Sequence, residues 1–436
     1  MNLGEWVVQI PQHTQYLDPG WVAQVTGGRR HEKARPASDL GWDSRSLTPG
    51  SAFVALPGQR THGNAFLEDA LARGAAFLLT DLARPEAVEV ADPYRALILL
   101  GRALRRRFSG PVVAVSGSVG KTTTKESLAR ALGYAATAGN LNTVPALARF
   151  FLHLNPKAKG AVVELGIDRV GEMDDLVELT EPEIGVLTAI APAHLEAFRD
   201  LQTVAREKGK LLAASKLKIA EVGAARWLDL EGVRTYGFHP EADFQGHDLR
   251  YGLWGTRFVY RGKRVHLPYP GLGPALGALA ALAVTEILGQ SISDAIERLG
   301  ALRLPSGRLE VIHAKDLTII HDAYNANPAS VQSGLELLKQ VPGRKVVVLG
   351  TMLELGESAP AHHQSAARAA AAVADELIFV GDFAEAMQKA AGRGSVARSV
   401  AEAAKHLQRV RRPGDVVYLK ASRGLRLERL LEVIDG

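Results

Sequence analysis

From residue 109 onward, short apolar runs alternate with stretches of helical spacing. "PVVAVSG" (111–117), "GAVVELG" (160–166) and "EIGVLTAIAP" (183–192) are continuous apolar runs bounded by Pro or Gly, the pattern of strands buried on both faces. "KTTTKESLARALGY" (121–134) has its apolar positions at helical intervals. Strands alternating with helices predict a parallel sheet covered on both sides. The pattern recurs near the C-terminus. "DLTIIHDAYN" (316–325), "RKVVVLG" (344–350), "DELIFVG" (375–381) and "GDVVYLK" (414–420) predict four more buried strands, and "AHHQSAARAAAAVAD" (361–375) predicts a helix between two of them. That is a Rossmann-like unit.

The first hundred residues are patterned differently. "SLTPGSAFVALPGQRTHGN" (46–64) reads as turn, strand and loop, and "FLEDALARGAAFLLTD" (66–81) as helix, Gly stop and strand. "LPSGRLEVI" (304–312) looks like the entry to the last unit. A chain of 436 residues is too long for one ordinary core. The expected architecture is α/β with three domains: 1–105, a central P-loop parallel-sheet domain over 106–303, and a Rossmann-like C-terminal domain over 304–436.

Composition narrows the class. With 47% apolar and 23% charged residues the chain reads as globular. A formal charge of +5 suits anionic small substrates and makes no case for nucleic acid. The clusters "RALRRRF" (102–108) and "RVRRP" (409–413) read as solvated helix faces. There is no cysteine, which excludes disulfides, thiolate zinc sites and a Cys nucleophile. "MNLGEWVVQI" lacks the basic start and apolar core of a signal peptide. "PALGALAALAV" (274–284) falls well short of the roughly 20 residues that span a bilayer. A cytoplasmic, monomeric enzyme with no membrane insertion is the expectation.

The candidate chemistry begins at "AVSGSVGKTTTKES" (114–127). Gly117 and Gly120 leave out side chains where backbone must approach an anion, and the following helix N-terminus faces it. Lys121 supplies charge to the outer phosphates and Thr122 a hydroxyl to Mg²⁺, with Ser118 and Thr123 beside them. Val115 stands where the longer phosphate-loop pattern has its first Gly, so the match is the shorter G-x-x-G-K-T. Its place between strand and helix favours a nucleotide site over a plain Gly-rich turn. "GLGPALG" (271–277) lacks dinucleotide spacing, and Pro274 suits the first turn of a helix.

Glu164 ends the second buried strand and His194 follows the third. Ligands of open α/β sheets bind at such strand ends, and a buried carboxylate there needs a cation. Together the pair could hold Mg²⁺ near the phosphates; singly, either residue is ordinary structure.

"GSVGKTTTKE", "VVELG", "IAPAHLEAF", "AREKGKL", "SGRLEV", "HDAYNANP", "GTMLELGE" and "KASRGLRLE" follow one another in the order found in the Mur ligase family. "DAYNANP" (322–328), "MLELGE" (352–357) and "DSRSLTPGSAFVALPGQRTHGNAF" (43–66) are most similar to its MurF type. The resemblance implies an ADP-forming amide ligase of peptidoglycan precursor synthesis. Its substrates would be ATP, UDP-N-acetylmuramoyl-tripeptide and D-alanyl-D-alanine, with an acyl phosphate between two steps. It implies that Lys121 steadies the β/γ-phosphates, that Thr122 binds a first Mg²⁺, and that Glu164 and His194 hold a second. A carbamylated lysine is implied in "AREKGKL": Lys208, with Lys210 as the rival. Arg308, Asp322 and Asn325 would contact the nucleotide, with Asp322 on the ribose. Tyr324 and Asn327 would line the dipeptide side. Ser422 and Arg423 would face the incoming amine, Ser44 and Arg45 the UDP end, and Asn140 and Asn142 the peptide arm or a Mg²⁺ water. His363 matches a family position without an assigned role.

The sequence departs from the family at several places. Thr143 replaces a second Asn, Thr351 an Asp and Ala421 a Gly. Gly273, Pro274 and Gly277 stand where relatives carry His and Asn side chains, the last of them on adenine, so looser base recognition is expected. Another Mur ligase adding a free amino acid, or a catalytically silent nucleotide-binding homologue, stay open as alternatives on sequence alone.

Overall fold

The computed structural model describes residues 16–58, 61–192 and 195–435. Its strands form three sheets. The first runs Arg29–Arg30, Ala87–Glu89, Phe77–Thr80, Ser51–Val54, Asp39–Gly41 and is parallel except at the Arg29–Arg30 edge.

In the central sheet, Val112–Ser116 lies between Ile184–Leu187 on one side and Ala161–Glu164 on the other, all parallel. Their side chains are buried throughout, as continuous apolar runs require. The chain leaves Val112–Ser116 and returns on both flanks, so a crevice opens beyond its carboxyl end. The sheet stays parallel through Leu217–Glu221 and Val233–Gly237 to Phe244–Gly252. It then continues as the antiparallel strands Gly255–Tyr260 and Lys263–Leu267, an extension that the repeating strand–helix pattern does not foretell.

Helix Leu272–Ile287 is buried along almost its whole length, wedged against helix Lys121–Leu132. Gly277 permits that approach. A Cβ there would sit 3.3 Å from Ser127 Oγ and from Thr124 Cα, so the position serves helix packing.

The C-terminal sheet runs Glu310–Ala314, Leu317–His321, Val416–Lys420, Lys345–Gly350, Glu376–Val380, Ser395–Ala397, parallel after the first antiparallel pair. Val416–Lys420 is inserted between two earlier strands, which makes a second switch point.

The first two sheets share one apolar core. Helix Pro93–Arg106 packs on Val144–His153 and Glu172–Thr180, and Leu97, Leu100 and Leu104 meet Leu147, Phe151 and Leu179 in a single cluster. Asp39 of the first sheet accepts two hydrogen bonds from Arg149, at 2.7 and 2.6 Å, and contacts His153 Nε2 at 2.8 Å. The C-terminal domain has apolar clusters of its own.

One basic cluster differs from its expected solvated face. Arg105 is buried; it donates to Thr180 O, Phe108 O and the Glu183 carboxylate, and Glu183 in turn accepts from Val112 N–H. It clamps the entry to the phosphate-loop strand, while Arg102 and Arg106 pair with Glu181 nearer the surface. Among the described residues no helix is long and apolar enough to cross a membrane.

Candidate active site

The phosphate loop is shaped by the neighbouring strand end. Gly117 is held at φ 148°, and a Cβ on it would lie 2.0 Å from Thr188 Oγ1, so only glycine fits. Thr188 Oγ1 donates to Val119 O at 2.5 Å. Ser118 N–H donates to Ala189 O at 2.8 Å and its hydroxyl to Ala191 O at 2.9 Å, so Ser118 anchors the loop. Gly120, at φ 84°, begins helix Lys121–Leu132 and leaves the first-turn N–H groups facing the crevice.

Lys121 Nζ donates to Gly117 O at 2.8 Å. Burial pushes its amine below the usual lysine range and Arg308 adds to that, while Glu164 and Glu354 oppose it. Thr122 Oγ1 donates to Glu164 Oε2 at 2.6 Å, and Asn142 Nδ2 to Glu164 Oε1 at 2.9 Å. Glu164 is only 2% exposed. The loop bearing Asn140 and Asn142 is tied down by Lys125, a fully buried cation that sequence reasoning missed. Its Nζ donates to Thr137 O and to Gly139 O, and pairs with Glu126.

The C-terminal domain supplies the opposite wall. Arg308 Nη2 donates to Thr122 Oγ1 at 2.9 Å, and its guanidinium lies 4.0 Å from the Tyr324 ring centroid. Its buried Nε has no hydrogen-bond partner. Asn327 caps helix Pro328–Lys339 through its carbonyl, while its amide reaches Ser118 O at 3.4 Å. Asn325 Oδ1 accepts from Ala326 N–H. Asp322 Oδ1 accepts from Leu309 N–H, and Oδ2 from Tyr418 and from Lys420 at 2.7 Å. Oδ1 thus retains a lone pair for a ligand hydroxyl. Lys420 ends a buried apolar strand, the same signal that marks Glu164, and could have been read from the sequence.

A cleft of about 370 Å³ gathers Ser118, Gly120, Lys121, Thr122, Thr123, Asn140, Asn142, Glu164, Arg308, Asp322, Tyr324, Asn325 and Asn327. Lys420 and Glu354, which lie inside the quoted motifs without an assigned role, line it too. Gly273 and Pro274 form part of its wall.

Other expected residues lie elsewhere. Ser44 is buried in the first domain, and Arg45 beside it is well exposed and paired with Asp43 at 2.7 Å. Ser422 is buried; its hydroxyl accepts from Leu353 N–H and donates to Ala326 O, so it positions a loop. Arg423 is exposed, pairs with Glu428 at 3.3 Å and lies 5.8 Å from the Tyr324 ring centroid. Lys208 sits in helix Leu201–Ala214, 1% exposed. Burial pushes its amine well below the usual range, and the charge of Lys121 adds to this. Lys210 differs: burial pulls its amine down, but hydrogen bonds to Asp174 and Glu207 more than offset this and raise it. His194 lies outside the described residues.

The residues fit a magnesium nucleotide. A buried carboxylate and a hydroxyl meet at the end of the loop, and a desolvated lysine and a guanidinium with an unpartnered buried N–H face the same space. Among the described residues no three His, Asp or Glu side chains converge on one metal position. Mg²⁺ keeps waters and phosphate oxygens as ligands, so Thr122 and Glu164 are a sufficient protein share.

Three family models match the chain: Mur ligase family, catalytic domain, over residues 37–107; Mur ligase middle domain over 115–285; and Mur ligase, glutamate ligase domain, over 307–423. The UDP-N-acetylmuramoyl-tripeptide–D-alanyl-D-alanine ligase of Escherichia coli K12 is 35% identical over 376 residues, covering 81% of this chain and 83% of the relative. A crystal structure of MurF from Acinetobacter baumannii superposes with a TM-score of 0.88 at 26% identity, over 97% of this chain and 100% of the other. MurF ligase from Thermotoga maritima in complex with ADP gives 0.80 at 28% identity, over 93% and 98%. From its first sheet to its last, the chain belongs to the Mur ligase family, on the MurF branch.

Proposed function

We propose that the protein joins D-alanyl-D-alanine to UDP-N-acetylmuramoyl-tripeptide in an ATP-dependent, ADP-forming ligation. The reading rests on one arrangement: Thr122, Glu164 and Arg308 meet within hydrogen-bond distance beside Lys121, across two domains.

Chemically, a carboxylate must attack a triphosphate, and both are anions. Lys121 and the N-terminal turn of helix Lys121–Leu132 hold the outer phosphates. Thr122 and Glu164, with His194 as the further expected ligand, would hold a Mg²⁺, which would supply positive charge to offset the repulsion of the two anions. Arg308 brings further charge from the C-terminal domain. The peptide carboxylate takes the γ-phosphoryl group to give an acyl phosphate and ADP; the amine of the dipeptide then displaces phosphate.

Lys208 is the proposed carbamylated lysine, because burial lowers its pKa and so favours the neutral amine that adds CO₂. Lys210, held as a cation by two carboxylates, is the poorer candidate. Arg45 and Ser44 serve the UDP end. Asp322 and Asn325 serve the nucleotide, Tyr324, Asn327 and Arg423 the dipeptide side, and Asn140 the peptide arm. Ser422 acts through the loop it pins. A monomer working in the cytoplasm, where ATP and UDP-linked precursors are found, completes the reading.

A coupled ADP-release assay tests it. Release should require both UDP-N-acetylmuramoyl-tripeptide and D-alanyl-D-alanine. Release with a free amino acid in place of the dipeptide would reassign the acceptor, and nucleotide binding without turnover would remove the ligase reading. With ¹³C-bicarbonate, a carbamate NMR signal present in the native protein and missing from Lys208→Ala tests the modification.

A further inference from the structure

The loop between strand Lys345–Gly350 and helix Ala359–Ala371 brings a carboxylate to the cleft that the steps above leave unused. Glu354 lines the same space as Lys121, Thr122, Glu164 and Asn325. It is held at φ 66°, where a residue with a Cβ is disfavoured and glycine would be at ease. Strain kept at a cleft marks a position the surroundings enforce.

They do enforce it. Met352 N–H donates to His363 Nε2 at 2.8 Å, while His363 Nδ1 donates to Ala359 O at 2.7 Å, which fixes the neutral tautomer. His363 is fully buried and stacked on Phe383 at 4.1 Å, and burial lowers its pKa, in keeping with the accepting Nε2. Leu353 N–H donates to Ser422 Oγ at 2.9 Å. Gly356 lies against Glu196 of the central domain, where a Cβ would be 3.2 Å from Cα. The loop is therefore pinned on both sides of Glu354, which fixes the backbone from which its side chain enters the cleft.

The incoming amine arrives as an ammonium, which has no lone pair. Lys121 and Arg308, which line the same space, repel it, so a carboxylate beside it is needed. Building on the ligase reading above, we propose that Glu354 receives the ammonium of the second substrate and takes its proton. The N–H bond breaks toward the Glu354 carboxylate, and the freed lone pair attacks the acyl carbon. The bond from that carbon to the phosphate oxygen breaks, and its electron pair leaves with inorganic phosphate. The second amine proton goes to that phosphate.

Hydroxylamine separates this role from the others, because it is a neutral nucleophile near pH 7 and needs no base. Full-length protein and the variants Glu354→Gln and Glu354→Asp are assayed with ATP, Mg²⁺ and the UDP-linked substrate, using either the dipeptide or hydroxylamine as acceptor. Glu354→Gln should lose about 100-fold in kcat/KM for the dipeptide, form hydroxamate at the native rate and keep its thermal midpoint. The loss should shrink as pH rises and the free amine becomes abundant, and Glu354→Asp should recover part of it. An equal fall in hydroxamate formation, or a raised Mg²⁺ requirement, would make Glu354 a phosphate-side group and overturn the proposal; so would unchanged dipeptide kinetics. Native protein that forms hydroxamate but never ligates the dipeptide would instead sink the acceptor assignment.

Discussion

Arg308 and Thr122 come from different domains, and the guanidinium of one donates to the hydroxyl of the other at 2.9 Å. The hydroxyl in turn donates to Glu164. The arginine therefore reaches that hydroxyl only when the C-terminal domain is docked against the phosphate loop.

Removing either partner should affect chemistry more than folding. Thr122→Val and Arg308→Ala should each lower kcat by about 100-fold or more, the scale of a lost electrostatic contact to developing charge. Arg308→Lys should recover little, because lysine cannot contact Thr122 and stack on Tyr324 at once. Steady-state ADP release with thermal melts of each variant checks this; a variant that melts early without a kcat loss in the folded fraction would contradict it.

Base selectivity should be weak. Gly273 and Pro274 present no amide or imidazole to a base, and Gly277 is committed to helix packing. The ratio of kcat/KM for ATP over GTP should be about tenfold or less, given that strong rejection needs a polar group left unpaired by the wrong base. Gly277→Asn should not restore selectivity; it should cost about 1–3 kcal/mol through overpacking, measured by denaturant unfolding.

Acid sensitivity should be traceable to Glu310. His321 beside it, with Ser306 and the Gly307 N–H, holds its carboxyl down to about 2 from an ordinary 4.5. The folded pKa is the lower one, so the unfolded chain binds the extra proton as pH falls. The stabilisation is whole above 4.5 and drains away between 4.5 and about 2. Glu310→Gln should flatten the stability curve in that window and leave it unchanged in shape near neutrality. The side chain is about a third exposed, so solvent screening keeps the effect small.

Domain motion should be lopsided. The first and central domains share a core and the Asp39–Arg149–His153 tie, whereas the C-terminal domain keeps its own clusters and meets the central one through polar contacts around the cleft and through Tyr251, Leu253 and Trp254, the last stacked on His313. X-ray scattering with and without the full substrate set should fit a single moving body, residues 304–436. Independent swinging of the first domain would contradict this.

The sequence foretold the strands that position the chemistry because they are buried on both faces and therefore spelled as unbroken apolar runs. Val112–Ser116, Ala161–Glu164 and Val416–Lys420 are of this kind. The antiparallel strands from Gly255 to Leu267 alternate polar and apolar residues around Gly turns and carry no motif, so they were silent. Lys121 and Thr122 are legible from the glycine-rich loop between strand and helix, and Glu164 from its place at a strand end. Lys125 was not, because a lysine on a helix reads as solvated until the carbonyls of residues 137 and 139 are seen to enclose it. Arg105 was misread for the same reason. Glu354 lies inside "MLELGE", but the motif does not say which carboxylate enters the cleft; that depends on a buried histidine nine residues further on.

The common interior of the first two sheets has an evolutionary corollary. Helix Pro93–Arg106 is at once the last helix of the first domain and a structural wall of the central one. Excising or exchanging the first domain at residue 92 would strip the phosphate-binding half of its apolar cover. A lineage that trades one first domain for another must carry this helix across with it, or rebuild the surface on which it lies.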